Sequence, residues 1–314
     1  MKTRRTYFIL AALLFVAGLA ACSHDDALSG SDEGTADEIT FTAAIGGTAL
    51  PDAQTRVTPD GDKWVMNDEI GIYVSPGPGV VYPSVENKKY TVRDAVTGAL
   101  VPADDTHVHY PVQGTVDILA YYPYGRPNEF LQIIVNLTDQ SKPAAIDLMV
   151  ARAAGVGNSP SPVKLKFEHL LSKITLNVSA GNGLTPDDIK GLTGNDVFTG
   201  RIFATVSWGL QGNPPQLSSA ESINLYKSET IPEGVHATFS AIILPKTTSS
   251  IPITFQIGGR EYKCTLTSDD EFQAGNNYVF PVTVNDRRID LGPLAITAWD
   301  EQGSASATLP PDRP

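Results

Sequence analysis

The sequence predicts an all-β protein made of two tandem antiparallel β-sandwiches. Three observations predict it. Short apolar runs alternate with polar residues at period two, the spacing that lines one face of a strand. Gly, Pro, Asn and Asp break these runs at short intervals, as turns between sheet strands do; the chain has 27 Gly and 23 Pro. One segment alone has the chemistry of a helix start. At 314 residues the chain is long for one core and suits two domains.

The first 21 residues read as a signal peptide. Lys2, Arg4 and Arg5 precede an apolar run from Phe8 to Ala17, which is short for a membrane span and is followed by small residues. Leu19-Ala20-Ala21-Cys22 closes it and resembles a bacterial lipobox, in which the cysteine is acylated and becomes the first mature residue. The expected anchor is therefore lipid on Cys22. The expected location is the cell surface, as an outer-membrane lipoprotein precursor. Residues 22–37 are rich in Ser, Gly, Asp and Glu and read as a flexible tether.

The strands follow in order. Ile39, Phe41, Ala43 and Ile45 share one parity and form the first. Ile70, Ile72 and Val74 mark the second. Val116, Ile118 and Ala120 lead into Tyr121-Tyr122-Pro123-Tyr124, and residues 131–137 and 146–151 are further apolar runs. A cluster of Gly, Asn, Ser and Pro at 155–162 places a domain boundary, dividing 38–160 from 161–300. In the second half, strands are expected at 163–168, 173–179, 201–208, 222–227, 235–244, 251–257, 260–267 and 278–284. Gly258-Gly259 supplies the positive φ angles of a two-residue hairpin, and Pro59-Asp60-Gly61-Asp62 reads as another tight turn. Thr185-Pro186-Asp187-Asp188 starts a helix that Gly191 ends. Residues 301–314 form a small, polar tail.

Charge and composition exclude several functions. The chain has 23 Lys+Arg against 35 Asp+Glu, a net charge of −12, and removing the signal takes away three basic residues and no acidic ones. Such a chain has no electrostatic footprint for nucleic acid. With Cys22 committed to lipid, Cys264 is left without a disulfide partner and reads as a small packed residue. No catalytic or cofactor-binding constellation is present. His107 and His109 fall on one strand face near Asp104 and Asp105, but nothing completes a metal site. Asp60, Asp62, Asn67, Asp68 and Glu69 are oxygen-rich without the spacing of a calcium loop. Trp64, Trp208 and Trp299 sit in strand-like contexts and read as core.

Several motifs in order resemble the fimbrillin family, the Mfa-like pilins of Bacteroidia that build type V pili. Ala53-Gln54-Thr55-Arg56 precedes Trp64 and Asn67-Asp68-Glu69-Ile70-Gly71-Ile72-Tyr73. Asp117-Ile118-Leu119-Ala120-Tyr121-Tyr122-Pro123-Tyr124 and Asp147-Leu148-Met149-Val150-Ala151 follow. Then come Leu165 to Ile174, Ile242-Ile243-Leu244-Pro245, Ala274-Gly275-Asn276-Asn277-Tyr278 and Ile296-Thr297-Ala298-Trp299. The resemblance covers about residues 38–300. It implies two transthyretin-like sandwiches with Greek-key connections. It also implies an assembly route, in which an arginine-specific surface protease cuts near the first strand, that strand leaves, and a strand of another pilus subunit replaces it. Matched to this chain, the cut falls between Arg56 and Val57, and the displaced strand carries Ile39, Phe41, Ala43 and Ile45.

The leading expectation is a non-enzymatic pilus subunit or pilus-associated adhesin, whose partners are other pilins, the protease and, through the lipid, the outer membrane. The tail offers only Ser304 to Leu309 as a donor strand, which leaves shaft, tip and anchor roles open. The alternative is a non-polymerising surface lipoprotein that binds glycan or another ligand.

Overall fold

The computed structural model describes residues 37–46, 63–77, 86–105 and 107–299. These are all-β apart from one five-residue helix and short 3-10 turns. The first eight strands are β1 (Phe41–Ile45), β2 (Glu69–Pro76), β3 (Lys88–Asp94), β4 (Ala99–Pro102), β5 (Thr115–Tyr122), β6 (Gln132–Asn136), β7 (Met149–Gly157) and β8 (Val163–His169). Seven of them close into a barrel in the order β1–β4–β3–β2–β5–β7–β8, and β8 returns beside β1. Its interior is packed with Phe41, Ile70, Ile72, Tyr90, Ile118 and Phe167 around the fully buried Trp64. The Trp64 ring meets Tyr122 and Phe167 edge-on, at 5.3 and 5.0 Å.

The remaining elements are β9 (Ser172–Ala180), α1 (Pro186–Lys190), β10 (Val197–Thr199), β11 (Ile202–Gly209), β12 (Gln216–Glu221), β13 (Tyr226–Lys227), β14 (Ala237–Ile243), β15 (Ser250–Ile257), β16 (Arg260–Thr267), β17 (Asn276–Val284), β18 (Ile289–Leu291) and β19 (Ala295–Ala298). A sheet running β13–β14–β9–β17, flanked by β18 and β19, faces the sheet β10–β15–β16. The two share a core that includes Ile174, Leu176, Phe239, Phe255 and Phe280.

Two features correct the expectation of purely antiparallel sandwiches. The first sheet closes as a barrel, and two strand pairs are parallel. β1 runs parallel to β8, from Phe41–Val163 to Ile45–Phe167, and β9 runs parallel to β17. Period-two alternation reveals which side chains share a face, and it is the same for either strand direction. Residues 155–162 hold the end of β7 and its link to β8, which rejoins the barrel. The chain leaves the barrel after His169.

β6 departs from the barrel altogether. It joins β11 and β12 in a separate three-stranded sheet. A third core lies between that sheet and the outside of the barrel. Tyr73, Leu119, Tyr121 and Val150 meet Val135, Val206, Trp208 and Ile242 there. Buried Gln140 ties the same region to β14: its Nε2 donates to the Ile242 carbonyl at 3.0 Å, and its Oε1 accepts from the Ile242 N–H at 2.8 Å.

Local chemistry accounts for the turns. Gly258 and Gly259 adopt φ of 56° and 78°, and the hairpin pairs Ile257 with Arg260 and Phe255 with Tyr262. The Thr185 hydroxyl accepts from the Asp188 N–H, and the Asp188 carboxylate accepts from the Thr185 N–H at 2.7 Å. That capping box starts α1.

Candidate functional site

β1 contributes a single row of side chains to the barrel core: Phe41, Ala43 and Ile45, with Ile39 just ahead, are all buried. Phe41 meets the Tyr90 ring edge-on at 5.2 Å. Burying two isoleucines and a phenylalanine stabilises the seam by roughly 5–8 kcal/mol before the cost of ordering the strand.

The backbone of β1 is held on both sides. On the β8 side the Val163 N–H donates to the Thr40 carbonyl at 2.8 Å, and Gly46 donates to the Phe167 carbonyl at 2.9 Å. On the β4 side Phe41 pairs with Leu100, and the Ala43 N–H donates to the Gly98 carbonyl at 2.8 Å. Gly98 has φ of +69°, and a Cβ built there would lie 2.0 Å from the Ala43 carbonyl oxygen. The tight approach therefore requires glycine.

A second clasp precedes β1, and the alternation of β1 itself does not foretell it. The Ile39 N–H donates to Val108 at 2.7 Å, and Tyr110 donates to Asp37 at 2.9 Å. Glu38 bridges to His109 between them. His107 Nδ1 lies 2.5 Å from Glu38 Oε1, so both histidines of this exposed strip sit against Glu38. Asn158 Nδ2 donates to Asp37 Oδ2 at 2.8 Å. Burial, and next the Glu38 charge, raise the Tyr90 phenol to about 12. The sequence signal for this clasp is the alternation of Val108 and Tyr110 around His109.

The remaining site residues fall as follows. Cys22, Arg56 and Val57 lie outside the described residues, as does the turn at Pro59–Asp62. Arg56 belongs to the segment 47–62 that links β1 to the rest of the barrel. The Asp68 carboxylate accepts the Val65 N–H at 2.6 Å. Burial raises its pKa to about 6, against the lowering effect of that bond and of Tyr122. The neighbouring motif residues serve packing as well. A Cβ on Gly71 would sit 2.0 Å from the Tyr121 ring. Cys264 is half-buried, and burial pushes its thiol up to about 11, which disfavours the reactive thiolate. Trp64, Trp208 and Trp299 are 0%, 9% and 4% exposed, so none offers a stacking face to a sugar.

Three motifs far apart in sequence meet in one buried cluster. His169, the last residue of β8, has Nδ1 2.8 Å from Asp147 Oδ1. Its ring stacks on Trp299 at 4.3 Å, with the planes 7° apart. Lys173 Nζ lies 5.9 Å from the Trp299 ring centre. The strand that β1 pairs with thus ends on the aromatic residue that follows β19.

The fimbrillin-like family profile matches residues 55–299, and so spans this cluster and most of the barrel. The chain belongs to the fimbrillin-like family. That membership makes it a fimbrial or adhesion-related surface protein. Two solved structures share its fold. One is described as a candidate cell adhesion protein from Bacteroides uniformis, with 21% identity, a TM-score of 0.66, and coverage of 83% of this chain and 98% of that one. The other, described in the same terms, is from Bacteroides ovatus, with 20% identity, a TM-score of 0.60, and coverage of 84% and 98%. No curated protein matches the sequence.

Proposed function

We propose that this fimbrillin-like protein is a pilus subunit or pilus-associated adhesin, exported as a lipoprotein on Cys22 and assembled by protease-triggered strand exchange. In this reading its two halves are transthyretin-like units with Greek-key connections. An arginine-specific surface protease cuts between Arg56 and Val57. The segment carrying Ile39, Phe41, Ala43 and Ile45 then leaves, and a strand of another pilus subunit fills the seam. The acylated precursor sits on the outer membrane at the cell surface.

One observation carries the reading: β1 closes the barrel with one buried side-chain row between two strand edges. Such a strand is replaceable as a unit, because backbone pairing and an alternating apolar row are all that it supplies. The cut is needed because a tethered strand has a large effective-concentration advantage over any incoming one. After cleavage the strand is held by non-covalent contacts alone.

Trypsin treatment of the purified precursor tests this. The expected products are an N-terminal fragment ending at Arg56 and a ladder of multimers. Arg56→Ala is expected to stay monomeric under the same treatment. Equal polymerisation of that variant overturns the processing step.

A further inference from the structure

The sheet β12–β11–β6 has two edges, and they are built differently. Along β12 the register with β11 shifts twice, between Phe203 and Thr205 and between Thr205 and Val206. Arg201 Nη2 also donates to the Ala220 carbonyl on that strand, at 2.8 Å. Irregular register and charged side chains are ways in which sheets block further pairing. β6 has neither. Its pairs run unbroken from Gln132–Gly209 to Asn136–Thr205.

The backbone phase of β6 shows what it leaves open. Leu137 donates to the Ala204 carbonyl, and Leu210 donates to the Leu131 carbonyl. Antiparallel bonds alternate, so Ile133 and Val135 turn their backbone groups toward β11, while Ile134 and Asn136 turn theirs away. The outward groups of Gln132 are already taken by Asn128, whose Oδ1 accepts the Gln132 N–H at 3.0 Å and whose N–H donates to the Gln132 carbonyl at 2.9 Å. Ile134 and Asn136 remain. The Ile134 side chain is 76% exposed and nearby Phe130 is 64% exposed.

This edge forms one wall of a cleft of about 480 Å³. The rest of the lining comes mainly from residues 123–126, 128, 145, 146 and 148. It is pre-organised. The Tyr121 hydroxyl donates to the Gly125 carbonyl at 2.9 Å and accepts the Gly125 N–H at 3.2 Å. Asn87 Nδ2 donates to the Tyr121 oxygen at 2.8 Å and to the Gly125 carbonyl at 3.0 Å. Ile133, Ile146 and Leu148 give the cleft an apolar lining. Arg126 also lines it, is exposed, and makes no ion pair among the described residues.

We propose that this cleft binds an extended peptide strand of a partner protein, added to the edge of β6, with an apolar side chain in the cleft and a carboxylate on Arg126. Outward N–H and C=O groups at strand spacing match a polypeptide backbone rather than a sugar. The exposed Arg126 guanidinium, without an ion-pair partner among the described residues, suits a carboxylate at that point. The fixed walls lower the ordering cost of binding. The site is separate from the β1 seam, which stays filled in the uncut chain.

The test uses the uncut full chain and a panel of fluorescent hexapeptides of alternating threonine and valine, each with one glutamate at a different position. Anisotropy reads affinity, and hydrogen exchange with mass spectrometry locates the contact. The expected result is saturable binding by at least one peptide, with exchange slowed over residues 132–136. N-methylation of that peptide at alternate nitrogens is expected to abolish binding. Arg126→Glu, at an exposed position, is expected to weaken it about tenfold or more. Several results overturn the proposal: no binding across the panel, equal binding of the N-methylated peptide, or protection away from β6. Displacement of the peptide by neutral oligosaccharides, with protection of β6 by the sugars, overturns it in favour of a glycan site.

Discussion

Phe41→Ala tests whether β1 is a separately releasable strand. Phe41 is buried and packs edge-on against Tyr90 in the barrel core. Truncating a buried phenylalanine costs about 3–5 kcal/mol, because transfer energy and cavity cost add. If β1 opens as its own unit, its opening free energy falls by that whole amount. At 1.36 kcal/mol per tenfold, amide exchange there should accelerate by roughly two to nearly four powers of ten. The reporters are the Ala43 N–H, bonded to Gly98, and the Ile39 N–H, bonded to Val108. The controls are amides of the parallel β9–β17 ladder, which faces the other sandwich core. Native-state hydrogen exchange measures both sets. β1 amides should show a lower opening free energy than the controls in the unmodified protein and should accelerate by the full factor in Phe41→Ala. Equal opening free energies for both sets in the unmodified protein would mean that β1 opens only with the whole molecule, and the strand-release argument would fail. No acceleration at Ala43 would mean that the side-chain row does not hold the strand.

Gly98→Ala should lower stability by at least about 1–3 kcal/mol, since it places a side chain at positive φ and against the Ala43 carbonyl; urea unfolding reads this. His169→Ala should cost about 3 kcal/mol or more in the same assay, because it leaves the buried Asp147 carboxylate without its partner and removes the stack under Trp299. Asp68 gives a pH signature. Its folded pKa is raised from 3.8 to about 6, so between those values the native state binds more protons than the unfolded state. Its contribution to stability therefore improves as pH falls from about 6 to 4 and is absent above that window. Asp68→Asn should remove this component, seen as a flatter difference between native and variant stability across the window.

The elements legible in the sequence are those whose determinants are local. The Gly258-Gly259 hairpin, the capped turn at Thr185 and the alternating faces of β1, β8, β15 and β16 all follow from neighbours within a few residues. Strands with one charged face are harder to see. β3 buries only Tyr90 and Val92 within Lys88–Asp94, so its apolar signal is short. β4 is short as well, at four residues. The capping Thr and the paired glycines carry their meaning at any position in a fold, and a barrel partner does not.

What tertiary structure alone decided is which edges meet. β1 pairs parallel with β8, more than a hundred residues later, and that pairing turns an expected sandwich into a closed barrel. β6 crosses to β11, and Trp299 returns to His169. The alternation of Phe41, Ala43 and Ile45 determined that β1 would bury one face. It carried no record of strand direction, of Gly98 pressing on the Ala43 carbonyl, or of the 108–110 strip that clasps Asp37 and Ile39. Side-chain period specifies a face because it follows from the geometry of one strand. Pairing and closure depend on how long-range cores compete for the same edges, which becomes fixed only when the whole chain packs.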